Sequence, residues 1–99
     1  MRKIESKMLT AIARKEDWQL NNTIVEIEDN KITVKLYNNL IAIITSDTLI
    51  VSSCKYKTKT TKSRLNAILH HFSLDGIYQK DYVWYINKDK FEDGMTFKI

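Results

Sequence analysis

The sequence contains no proline and only two glycines, Gly76 and Gly94, among its 99 residues. That excludes collagen-like, proline-rich and Gly/Ser-linker architectures. A single cysteine, Cys54, rules out an internal disulfide framework and suits a reducing compartment. No apolar run reaches the ~18–20 residues of a membrane span, and the opening MRKIESKMLTAIARKEDW is too charged for a secretory signal, so no membrane partner is expected. Between residues 53 and 73 there is no acidic side chain at all. The remaining composition, 43% hydrophobic and 28% charged, is ordinary for a soluble globular protein. A second core of useful size does not fit, so residues 1–99 are read as one domain.

The net charge is +4, and its distribution says more than its sum. Lys55, Lys57, Lys59, Lys62 and Arg64 are the five basic side chains of the acid-free stretch 53–73, and the rest of the chain is close to neutral. A localised basic stretch is the electrostatic footprint of a nucleic-acid or other polyanion site. The plainer alternative is a solvated strand edge kept soluble by lysines.

Residues 3–16 read as a first helix, with Ile4, Met8, Leu9, Ala11 and Ile12 gathered on one side. Asn21 and Asn22 break that pattern. Residues 23–53 read as a four-stranded antiparallel meander. Three polar dipeptides, Asp29-Asn30, Asn38-Asn39 and Ser46-Asp47, are spaced for short strands and two-residue turns. With these turns Ile27 faces Ile32, Val25 faces Val34, Leu36 faces Ile41, Val34 faces Ile43, Ile43 faces Ile50 and Ile44 faces Leu49. One face then collects Val25, Ile27, Ile32, Val34, Leu36, Ile41, Ile43 and Ile50. The opposite face holds Leu40, Ala42, Ile44, Leu49 and Val51, which some other element or subunit must cover.

Residues 61–73 read as a second helix, with Leu65, Ile68, Leu69 and Phe72 forming an apolar stripe. Thr60 or Thr61 is the expected N-cap, and Gly76 the expected left-handed residue after the helix. Segments 77–86 and 95–99 read as strands of an aromatic hairpin, with Lys80-Asp81 as an alternative tight turn that splits the first. The whole is an α+β fold: a meander of about four strands, one packed helix, a C-terminal aromatic hairpin and an extra N-terminal helix.

Little in the chain supports catalysis or metal binding. Cys54, His70 and His71 are the only soft or nitrogen ligands. Adjacent histidines on a helix point about 100° apart, and no second cysteine completes a zinc site. There is no phosphate-cradling glycine loop, nucleophile elbow or zinc-protease motif. Asp89, Glu92 and Asp93 share one polar loop and read as solvated. The expectation is therefore a non-enzyme with no cofactor and no metal. Binding is better supported. If residues 55–60 are extended, Lys55, Lys57 and Lys59 project to one side, and the segment runs into a helix start carrying Lys62 and Arg64. Lys55, Tyr56, Lys57, Lys59, Thr60, Thr61, Lys62 and Arg64 are then the candidate contacts to a phosphate backbone. The aromatic group Tyr78, Tyr82, Trp84, Tyr85, Phe91 and Phe97 is the second candidate surface, about half of it expected in the core.

The run from Ser53 to Asn66 resembles an aromatic-x-Thr-x-Thr-Thr-Lys-x-Arg-Ile/Leu-Asn signature of small uncharacterised proteins of tailed bacteriophages. Tyr56, Thr58, Thr60, Thr61, Lys62, Arg64 and Asn66 occupy its fixed positions. Tyr37-Asn38-Asn39-Leu40-Ile41-Ala42, Gln79-Lys80 with Trp84-Tyr85, and Asp93-Gly94-Met95 extend the likeness over roughly residues 37–97. The N-terminal helix lies outside it and reads as an addition. The resemblance implies an accessory phage protein made in the host bacterial cytoplasm, and carries no activity with it. Three functions remain open: a small module contacting nucleic acid or another polyanion through 55–64, a protein–protein modulator of a host factor, or a structural, homo-oligomeric component.

Overall fold

A computed structural model describes residues 2–99. The chain runs α1 (Lys3–Arg14), β1 (Trp18–Leu20), β2 (Thr23–Glu28), β3 (Lys31–Leu36), β4 (Asn39–Ile44), β5 (Thr48–Val51), α2 (Lys59–His71), β6 (Ile77–Lys80), β7 (Val83–Ile86), β8 (Asp89–Lys90) and β9 (Met95–Lys98). Six strands form an antiparallel sheet in the order β1-β2-β3-β4-β5-β9, and β6, β7 and β8 form a second, smaller sheet. This is the expected α+β class, with more sheet than the sequence indicates.

Helix α1 buries Met8, Ala11 and Ile12 and stops two residues earlier than its charge pattern suggests. Lys15 takes a left-handed conformation (φ 54°) and its N–H returns to the Ile12 carbonyl. The Asn pair at 21–22 then turns a hairpin that pairs Trp18 with Val25. This edge strand is too short to show alternation, and the sequence reading missed it.

The first expected turn is correct: Glu28 pairs with Lys31, Ile27 with Ile32 and Val25 with Val34. The second is not. Tyr37 and Asn38, both at positive φ (51° and 65°), form the turn, so Leu36 pairs with Asn39 and not with Ile41. A bulge follows between Val34 and Lys35, and Val34 pairs with Ala42 instead of Ile43. An extra residue in one strand moves every later side chain to the other face. The third turn again matches, with Ile43 opposite Ile50 and Ile44 opposite Leu49. The core face is therefore Val25, Ile32, Val34, Leu36, Ala42, Ile44, Leu49 and Val51, all buried, with Ile41 drawn in at the bulge. Ile43 and Ile50, expected in the core, are only half-buried. Of the side chains thought to need separate cover, Ala42, Ile44, Leu49 and Val51 are part of the core itself, and Leu40 is exposed.

Helix α2 packs on β4 and β6, and α1 packs on β1, β2 and α2. Thr58, in extended conformation (φ −96°, ψ 165°), is the N-cap; its hydroxyl oxygen accepts the Thr61 N–H at 3.1 Å. The expected caps, Thr60 and Thr61, lie inside the first turn. At the other end the Leu74 N–H bonds to the Leu69 carbonyl at 2.9 Å and the Ser73 N–H to the His70 carbonyl at 3.0 Å, a Schellman arrangement. Its left-handed residue is Ser73 (φ 60°), not Gly76. Gly76 serves close approach instead: a Cβ there would lie 2.7 Å from His70 Nε2.

The 77–86 segment splits at Asp81-Tyr82 (φ 52° and 65°), one residue beyond the alternative turn, and pairs Ile77 with Ile86. The hairpin is thus internal to 77–86. Residues 95–98 do not join it; they add to the main sheet, with Leu49 opposite Phe97. Ile77, Trp84, Ile86 and Phe91 belong to the same buried cluster as the main-sheet residues.

Candidate nucleic-acid interface

The basic segment leaves the end of β5 and is not extended. Cys54 and Lys55 are consecutive left-handed residues (φ 53° and 65°), which cost energy for any side chain larger than glycine. Hydrogen bonds on both flanks hold them there. Asp93 Oδ1 accepts the Ser53 N–H and the Ser53 hydroxyl, each at 2.7 Å, and Oδ2 accepts the Lys55 N–H at 3.1 Å. The Cys54 thiol meets the Leu40 carbonyl oxygen at 2.9 Å. The Tyr56 N–H then closes onto the Ser53 carbonyl at 2.9 Å. Burial alone would raise the Asp93 pKa. The Ser53 and Lys55 donors and the nearby Lys57 charge outweigh it, and the carboxyl sits below its ordinary value. Asp93 is therefore a loop clamp, where the sequence showed only a solvated acidic loop. No local spacing announces it, because its partners lie 38 and 40 residues away.

The eight candidate residues fall into three groups by burial. Lys55, Tyr56, Lys57 and Lys59 are exposed, and Thr60 and Lys62 are half-buried. Thr61 and Arg64 are buried. The Thr61 hydroxyl pairs with that of Thr58 at 2.9 Å and serves the helix start. Arg64 is fully engaged: Nη1 donates to Glu5 Oε2 at 2.6 Å, Nε to Thr23 Oγ1 at 3.1 Å and Nη2 to Asn22 Oδ1 at 3.4 Å. Its guanidinium joins α1, β2 and α2 and is not offered to solvent. The outward cationic set is thus Lys55, Lys57, Lys59 and Lys62. Asn66 is structural too: its side-chain amide brackets Ile77, donating to the carbonyl and accepting from the N–H.

A further exposed aromatic, which sequence reasoning did not single out, joins the site. Tyr37, at the β3–β4 turn, is 66% exposed, and Tyr56 is 61% exposed. Both line one cleft of about 360 Å³. A larger cleft of about 560 Å³ lies at the opposite end of α2, between Ile12, Ile27, Ile32, Phe72 and Ile99. His70 and His71 are both exposed at that far end. The length of α2, about 20 Å for its 13 residues, separates them from Cys54. Among the described residues no three His, Cys, Asp or Glu side chains are grouped for a metal ion, and no helix is long and apolar enough to cross a membrane.

No curated protein and no solved structure matches the chain. The model of one protein family does, over residues 1–98. That span takes in α1, so the N-terminal helix is not an addition to the family but part of it. This accords with the structure, in which Glu5 of α1 supplies the partner of Arg64. The chain belongs to the Kyanoviridae Gp96 protein family, a family of bacteriophage proteins.

Proposed function

We propose that this phage protein is a small non-catalytic binding module that contacts nucleic acid in the host bacterial cytoplasm. The observation that carries the reading is the placement of Lys55 and Lys57 beside exposed Tyr56 on a clamped loop, followed by Lys59 and Lys62 on the first turn of α2. Asp93, the acidic group at this loop, stays ionised and offsets part of the charge of nearby Lys57, but its carboxylate holds the Ser53 and Lys55 backbone in one conformation. A polyanion therefore meets a preformed cationic strip, which lowers the ordering cost of binding. Four phosphate contacts give a log–log salt slope of about −3 on single strands. Electrophoretic shift or fluorescence anisotropy at two salt concentrations tests this. Lys57→Glu with Lys59→Glu abolishes binding while leaving the melting temperature within about 3 °C, since both side chains are exposed. Salt-independent binding, or none, overturns the reading.

A second reading, modulation of a host protein, is favoured by one observation. Tyr82 at the β6–β7 turn is 94% exposed, and Tyr78 stacks on Tyr85 at 5.6 Å beside it in the same hairpin. Exposed tyrosines are frequent interface anchors. A stoichiometric partner retained from nuclease-treated bacterial lysate, and lost with Tyr82→Ser, would support it. Undiminished capture by Tyr82→Ser would remove it.

A further inference from the structure

The lysine loop borders the cleft that Tyr37 and Tyr56 share. Buried Leu36 and Ile41 give it an apolar base, and Asn39 and Thr58 contribute an amide and a hydroxyl. At about 360 Å³ it lies at the small end of ligand pockets, with room for a flat ring system. Tyr37 stands at the first position of the β3–β4 turn. It occupies the left-handed region (φ 51°), where asparagine or glycine fits without strain, yet its ring remains 66% exposed. Tyr82 shares this combination of positive φ and an exposed ring, but Tyr37 alone of the two lies on the cleft beside Tyr56, with its ring free to stack.

We infer that the cleft between Tyr37 and Tyr56 receives one unpaired base of a single-stranded nucleic acid, with the adjoining phosphates on Lys55, Lys57 and Lys59. The inference rests on the nucleic-acid reading above and adds the strand state. Aromatic rings stack on the face of any base, and a base is available for stacking only when it is not paired in a duplex. The Asn39 amide can both donate to and accept from a base edge. Lysines beside a stacking platform are the combination that single-strand binding uses.

The test is fluorescence anisotropy with a labelled oligothymidylate and with a labelled duplex, on wild type, Tyr37→Asn, Tyr56→Ser and the Lys57→Glu/Lys59→Glu pair. Tyr37→Asn removes the ring from a turn position that asparagine adopts readily, so the fold persists and the melting temperature is equal or higher. Wild type binds the single strand at least tenfold more tightly than the duplex. Each tyrosine variant loses roughly tenfold on the single strand, with the salt slope unchanged. The lysine pair loses both ligands. Tyrosine variants that bind the single strand like wild type overturn the base cleft, as does equal affinity for duplex; in either case lysine-dependent, salt-sensitive binding leaves the phosphate reading standing. Wild type that binds neither ligand overturns both.

Discussion

Glu5 and Arg64, 59 positions apart, meet at 2.6 Å with only 4% of either side chain exposed. Glu5 Oε2 also accepts the Ser63 hydroxyl at 2.6 Å, so one carboxylate ties α1 to two residues of α2. Removing one member of such a pair strands the other charge out of water. Arg64→Ala is expected to destabilise by about 3–5 kcal/mol in urea unfolding. Arg64→Lys recovers only part, because a point charge cannot reach Thr23, Glu5 and Asn22 together as the guanidinium fork does. Arg64→Ala unfolding like wild type would contradict the arrangement.

Asp93 makes loop stability depend on acidity. Its folded pKa lies below the ordinary carboxylate value of about 3.9, so its contribution is complete above that value. The contribution fades as pH falls through the lower folded value. Asp93→Asn is expected to cost about 1 kcal/mol at pH 7, a modest figure because the carboxylate is largely in contact with water. The gap between variant and wild type should close in strong acid. Unfolding curves at neutral and acidic pH decide it, and a gap that widens toward acid would refute the clamp.

The bulge on β4 exchanges the roles of Ala42 and Ile43. Ala42→Leu should destabilise by about 1–3 kcal/mol, since it adds bulk between Val34 and Val51 on the face that α2 covers. Ile43→Thr should cost no more than about 1 kcal/mol, because the side chain is only half-buried on the other face. The reverse order would restore the register with Asn38-Asn39 as the turn.

The start of α2 gives a matched pair of substitutions. Thr58→Ala removes the acceptor of the Thr61 N–H and is expected to cost about 1 kcal/mol. Thr60→Ala, one position inside the helix, should change stability by less than about 0.5 kcal/mol. Thermal melts of the two variants separate them, and equal losses would move the cap.

Features fixed by near neighbours were readable from the amino acids. The Asp29-Asn30 reversal follows from a residue that tolerates positive φ, flanked by Glu28 and Lys31 on facing strands. The stripe of Leu65, Ile68 and Leu69 identified α2, and all three are wholly buried. The second reversal was not readable, because β4 is apolar on both faces from Leu40 to Ile44 and alternation favours neither register. Packing chose: the small Ala42 is buried on the core face opposite Val34, and the bulge at Ile41 makes that possible.

The sequence by itself determined a basic, acid-free stretch, two amphipathic helices and a ribbon of short antiparallel strands. These are set by side-chain type and by spacings of a few residues, which the chain obeys before it folds. The tertiary structure alone decided that Arg64 turns inward to Glu5, that Asp93 clamps the lysine loop, that 95–98 extends the main sheet and that Tyr37 meets Tyr56 across a cleft. Each of these joins residues about twenty or more positions apart, and no local periodicity specifies such contacts; they form only when burial and charge pairing are satisfied over the whole molecule at once.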